Sequence, residues 1–164
     1  MSKTEQNLMN AFAGESQANR KYRAFAKKAE EEGYIQVAKL FRAAAAAETI
    51  HAHNHLRALG AIKSTKDNLL AAIGGETYEF RQMYPPMIAE AKEDGNDKAF
   101  MSFLGANEVE KIHAALYQKA LDSLGTNVVT DYHVCSVCGY TAEGDAPDEC
   151  PVCKAKKKAF RRAE

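Results

Sequence analysis

Through the first 124 residues, apolar side chains return every three or four positions, as in Tyr22, Phe25 and Ala29 and again in Val37, Leu40, Phe41 and Ala44. That period predicts amphipathic helices, each turning one face to a core. Ala, Leu, Glu, Lys and Gln, all strong helix formers, fill most of the same stretch. Breakers divide it into four predicted helices of roughly 25 to 30 residues. The first runs from about Thr4 to Glu32 and stops at Gly33, and the second runs from Tyr34 to Leu59 and stops at Gly60. Thr65 reads as the N-cap of the third, which ends near Asp94 and Gly95. The fourth spans Asp97 to Leu124, before Gly125. Within the third, Pro85 and Pro86 must kink or loosen the helix about two turns after Glu76.

The period is lost after Gly125. Residues 126–133 are short, β-branched and polar, which fits a linker entering a strand. From Val134 onward the chain is turns, knuckles and lysines, too small to fold on an apolar core alone. A bound metal has to hold such a segment together. The basic run Lys154, Lys156, Lys157, Lys158, Arg161 and Arg162 reads first as a solvated face, with docking of an acidic redox partner as the second reading.

Composition narrows the classes. With 22 basic and 22 acidic residues, nothing in the balance points to nucleic acid. No apolar run approaches the roughly 18 residues of a membrane span, and the polar N-terminus shows no signal peptide, so the expected location is cytoplasmic. In that reducing compartment, four cysteines grouped as two Cys-x-x-Cys pairs read as a metal site rather than as disulfides.

The chemistry lies in a repeat. Glu48-Thr-Ile-His51 and Glu110-Lys-Ile-His113 each begin 15 residues after a glycine, Gly33 and Gly95. Upstream of those glycines, at 18 and 19 residues, stand Glu15 and Glu76, each preceded by glycine. Residues three apart share a helix face, so each Glu-x-x-His aims a carboxylate and an imidazole at one point. Two such motifs plus one Glu from each of two other helices form the ligand set of a di-iron carboxylate bundle. Glu79, one turn after Glu76, adds a seventh candidate. Such donors suit iron, manganese or zinc. His53, His55 and His133 match no repeat and are expected to be exposed or near element ends. In the tail, Cys135, Cys138, Cys150 and Cys153 form two knuckles that offer four thiolates for zinc or a single iron. Gly139 follows the first knuckle, where the backbone turns with positive φ, and Lys154 stands at the same place after the second, where it should be slightly strained. Tyr132, Tyr140 and Phe160 would supply a small aromatic core.

Together these residues resemble the rubrerythrin family over almost the whole chain. The resemblance is carried by residues 11–18, the stretch from Gly74 to Phe80, Met83 to Pro85, both Glu-x-x-His motifs and the cysteine knuckles. The short connection between the second and third helices is most similar to the compact archaeal-type branch. The resemblance implies an all-α, ferritin-like four-helix bundle over residues 1–125, a linker at 126–131 and a rubredoxin-like domain at 132–164. It implies a peroxidase serving oxidative-stress defence, in which a di-iron site reduces hydrogen peroxide and a mononuclear iron passes in electrons from rubredoxin or an NAD(P)H-dependent reductase. By position, Glu15, Glu48, His51, Glu76, Glu79, Glu110 and His113 would be di-iron ligands, and the four cysteines would hold the third iron, with zinc or manganese as substitutes. One iron would move between Glu79 and His51 with redox state, while Tyr22 and Tyr84 would hydrogen-bond ligand carboxylates.

Two other classes compete: an iron-storing ferritin-like protein, which the 40-residue tail disfavours for close packing, and a zinc-ribbon interaction module, which leaves the helical donors unexplained. Chain reach adds an expectation about assembly. In a ferritin-like bundle the second and third helices run parallel, so their link must return about 33 Å along the bundle. Residues 60–64 span at most ~20 Å when fully extended. The expected form is a domain-swapped homodimer in which the first two helices of one chain pair with the last two of its partner.

Overall fold

The structure, a computed structural model, describes residues 1–163, so Glu164, the last residue of the expected tail domain, lies outside the described residues. The chain forms two compact units, Met1–Lys63 and Ser64–Glu164, which divide between the second and third helices.

The first unit is a helical hairpin of α1 (Lys3–Glu31) and α2 (Ile35–Ala58). Its three-residue connection, 32–34, returns the chain antiparallel. Ser2 caps α1 through a reciprocal box with Glu5, at 3.1 Å from the Glu5 amide and 2.6 Å back to the Glu5 carboxylate. The hairpin closes on small residues. Ala38, Ala45 and Ala52 are buried at seven-residue spacing on α2, facing Asn19, Ala26 and Ala29 of α1. The buried Asn19 amide donates to the Ala45 carbonyl at 2.6 Å and to Thr49 Oγ1 at 2.8 Å, which fixes the register between the helices. Larger apolar residues, including Leu40 and Ile50, remain exposed.

The second unit begins with α3 (Thr65–Tyr78), continues through a π-helical turn at Glu79–Met83 into α4 (Tyr84–Glu93), and returns along α5 (Asp97–Asp122). The third predicted segment is thus two α-helices joined by a wide turn. Pro85 and Pro86 lack amide hydrogens and their rings crowd the carbonyls four residues earlier. The strain is taken up just upstream, where the Tyr84 amide reaches back five residues to the Glu79 carbonyl. The N-cap of α3 is Ser64 rather than Thr65: Ser64 Oγ accepts from the Asp67 amide at 3.1 Å, and Thr65 is already helical.

A three-stranded antiparallel sheet ends the unit, in the order β2 (Thr141–Glu143), β1 (Tyr132–Cys135), β3 (Phe160–Arg162). The tail lies along one stripe of α5. A Cβ placed at Gly105 would stand 4.0 Å from Cys138 Cβ, and one at Gly139 would stand 3.8 Å from Val109 Cγ1. One helical turn further, His113 bonds Thr141, and Lys119 then pairs with Glu143. Tyr140 and Phe160 meet edge to face at 6.2 Å.

Candidate metal centres

Each unit gathers one copy of the repeated donor set. In the first, donor atoms of Glu15, Glu48 and His51 lie within 4.8 Å of one another, with His51 Nδ1 at 2.8 Å from Glu48 Oε2. In the second, Glu76, Glu110 and His113 do the same, with His113 Nδ1 at 2.8 Å from Glu110 Oε2 and 3.9 Å from Glu76 Oε1. The three-residue spacing on α2 and α5 places each carboxylate beside its imidazole.

Glu79 stands at the start of the π turn and joins neither trio. It still feels the second one: burial and the charge of Glu110 raise its pKa, partly offset by His113. Glu76 is raised further, to about 7, first by burial, then by the charge of Glu110 and a hydrogen bond shared with it. Two carboxylates crowded in this way retain a proton unless a cation takes its place. Tyr84 also lies within this field, its phenol pushed up by burial and by the charges of Glu79, Glu110 and Glu76.

Within the described residues the two tyrosines make no hydrogen bond to a carboxylate. Tyr22 packs against Phe25 and Phe41 with centroids 6.4 and 6.1 Å away, and Tyr84 against Phe103 at 6.4 Å. His53 is exposed and His55 half-buried near the end of α2. His133 lies near the start of β1, as expected, and is half-buried there, with Nδ1 donating to the Gly144 carbonyl at 2.6 Å. Sequence spacing gave no sign of Thr141, whose hydroxyl lies 3.0 Å from His113 Nε2. Only the folded tail brings the two together.

All four cysteines are free thiols whose sulfurs lie within 4.8 Å of one another. Cys135–Cys153 and Cys138–Cys150 are separated by 3.6 Å. A disulfide would require about 2.05 Å, whereas a tetrahedral metal with 2.3 Å bonds sets sulfurs about 3.8 Å apart. The spacing therefore fits one tetrahedral metal. Burial pushes the Cys138 and Cys153 thiols up. Burial also opposes the Cys135 thiolate, but the amides of Cys138 and Val137 outweigh it and bring that pKa below its ordinary value. Both knuckles turn through positive φ, +85° at Gly139 and +62° at Lys154, so the expected strain at Lys154 is present.

The donor chemistry fits a di-iron carboxylate site and a rubredoxin-like iron site. Comparison with known proteins agrees. The rubrerythrin family model matches residues 6–121, and that of the rubrerythrin rubredoxin-like domain matches 133–161. Nigerythrin of Nitratidesulfovibrio vulgaris is 37% identical over 96% of this chain and 85% of its own, and rubrerythrin-2 of Clostridium acetobutylicum is 36% identical over 94% and 93%. A solved nigerythrin in its fully reduced, all-ferrous state matches with a TM-score of 0.61 and 36% identity, covering 99% of this chain and 88% of that one. With a ferritin-like helical region, a rubredoxin-like tail and relatives over nearly its full length, the chain belongs to the rubrerythrin family.

Proposed function

We propose that the protein is a peroxidase that reduces hydrogen peroxide to water in the cytoplasm, with electrons entering through the cysteine-bound iron of its tail from rubredoxin or an NAD(P)H-dependent reductase. The observation that carries this reading is the coexistence, in one chain, of two matching Glu/Glu/His trios and a four-thiolate knuckle site. Two ferrous ions at the helical site would supply the two electrons that cleave the peroxide bond. Glu15, Glu48 and His51 would hold the pair from one side, and Glu76, Glu110 and His113 from the other. Zinc could occupy the same donors but, having no accessible redox change, would supply no electrons, and manganese could replace iron there.

Making two waters from one peroxide also consumes two protons. In the metal-free protein burial and the charge of Glu110 raise the carboxyls of Glu76, to about 7, and of Glu79. A bound metal would displace such protons, so the two that the reaction consumes would be drawn from solvent. Tyr84 remains a phenol in the same field, so its Oη–H would serve as a hydrogen-bond donor rather than as an acid, and Tyr22 would offer its hydroxyl to the facing set. Glu79 and His51 would exchange as ligands of one iron when its oxidation state changes.

The assembly that unites the trios would be a domain-swapped homodimer. The helices fray by no more than Leu59, since α2 holds to Ala58 and α3 starts at Thr65, which leaves residues 59–64 as the link. The ~20 Å reach of that link thus stays short of the about 33 Å return path. Exposed Leu40, Ile50 and Leu70 would be covered by the second copy.

Anaerobic stopped-flow mixing of reduced, iron-loaded protein with peroxide tests the function. Oxidation of the helical irons within the dead time to seconds, with one peroxide consumed per site, is expected. Absence of any peroxide-dependent oxidation would refute it.

A further inference from the structure

We infer that Thr141 is the positioning residue of His113: its hydroxyl takes the Nε2–H of the imidazole and thereby presents Nδ1 as the metal donor. The inference rests on reading His113 as a ligand and extends that reading from the helices into the tail.

Proton bookkeeping assigns the tautomer. A threonine hydroxyl has one hydrogen to give and lone pairs to receive. Thr141 Oγ1 lies 3.2 Å from the Gly139 carbonyl, which can only accept, so its hydrogen points there. His113 Nε2, 3.0 Å away, must then be the donor into Thr141. With its hydrogen on Nε2, His113 directs the Nδ1 lone pair toward Glu110 Oε2 at 2.8 Å and Glu76 Oε1 at 3.9 Å. A lone pair facing carboxylate oxygens at that range is balanced by a shared proton, or by a metal cation that takes the proton's place.

The placement is built in several steps. Thr141 opens β2, and Gly139 closes the first knuckle with its amide 2.9 Å from the Cys135 carbonyl. The thiolate site thus sets the turn, the turn sets the hydroxyl, and the hydroxyl sets the ring. His113 is held on both sides, with its side chain 27% exposed. His51, in the other trio, is 53% exposed, and its Nε2 meets no partner among the described residues. The anchor therefore distinguishes two histidines that the sequence repeat makes equivalent.

Zinc serves as a diamagnetic probe of the full chain, using Thr141→Val, Thr141→Ala and Thr141→Ser. The parent and Thr141→Ser should show a slowly exchanging His113 Nε2–H proton by nitrogen-edited NMR, and this proton should exchange rapidly in Thr141→Val and Thr141→Ala. Zinc affinity at the helical site should fall about tenfold in both hydroxyl-free variants and remain near the parent value in Thr141→Ser. Retention of cysteine-bound zinc shows which variants keep a folded tail, and either hydroxyl-free variant suffices. Parent-like affinity with a protected Nε2–H in a folded hydroxyl-free variant overturns the inference, as does a Thr141→Ser variant impaired as much as Thr141→Val. If the parent bound zinc only at its cysteines, the metal reading of the helices would fall and this inference with it. Equal zinc binding by parent and Thr141→Val would remove the inference alone.

Discussion

Glu76 and Lys154 each sit where the surroundings oppose their preferred state, and each opposition can be measured. In the metal-free protein the Glu76 pKa is raised from 4.5 to about 7, by burial and then by Glu110. The folded state therefore holds a proton that the unfolded chain releases. This contribution to stability is complete below about pH 4.5 and is lost as pH rises through about 7. The metal-free parent should lose more melting temperature between about pH 5.5 and 8 than Glu76→Gln does. Equal pH slopes for the two proteins would contradict the crowded-carboxyl account. Lys154 holds φ at +62°, where its Cβ is crowded, while the equivalent Gly139 turns at no such cost. Lys154→Gly should stabilise the tail by a few tenths to about 1 kcal/mol, the relief of strain being partly cancelled by glycine's greater unfolded entropy. Thermal loss of the metal–thiolate absorbance would report it, and a lower midpoint for the glycine variant would show that the Lys154 side chain, whose Nζ donates to the Pro151 carbonyl at 3.1 Å, matters more than the strain.

At the scale of elements, the helices were legible because their stops are chemically loud. Gly33, Gly60 and Gly95 follow the first three predicted segments and all adopt positive φ. Apolar period alone marked the interiors. What it could not show was how the proline pair would be accommodated, since a kink, a break and a π turn all answer the same missing amides. The π turn at Glu79–Met83 puts the wide geometry at Glu79, one turn after Glu76, rather than at the prolines themselves. The tail was legible from its cysteines, but its docking along α5 depends on Gly105, Val109 and His113 presenting one stripe to residues that no local pattern links to them. The tail's strands are only three or four residues long, and its most deeply buried side chains are Cys135 and Cys150. Cys138→Ser should therefore remove tail order while leaving the helical circular dichroism nearly intact. The reduced variant should also react once with peroxide yet fail to turn over with a protein electron donor. Full turnover by that variant would end the relay role proposed for the tail.

For the whole molecule, the repeat made both trios readable, because an internal copy tests itself: Glu48 and Glu110 recur with the same glycine offset and the same histidine three residues on. The proposed assembly rests on chain reach, an argument about what the link cannot do. Variant mixing gives it a direct test. Consider Glu48→Ala, which damages the first unit's trio, and Glu110→Ala, which damages the second's. Each homodimer then lacks a donor at every site, whether swapped or not. A swapped heterodimer differs, because the intact first unit of the Glu110→Ala chain meets the intact second unit of the Glu48→Ala chain. One of its two sites is whole. Co-expression with random pairing makes half the dimers mixed, so roughly a quarter of parental di-iron sites and peroxide turnover should return. An unswapped dimer keeps each damaged trio with its own chain, and no site recovers. Recovery near one quarter in the mixture, with none in either variant alone, is the expected result. A mixture as inactive as its parts, at parental dimer yield, would show that each chain completes its own site and that the link between α2 and α3 spans a path that its six residues do not permit in extended form.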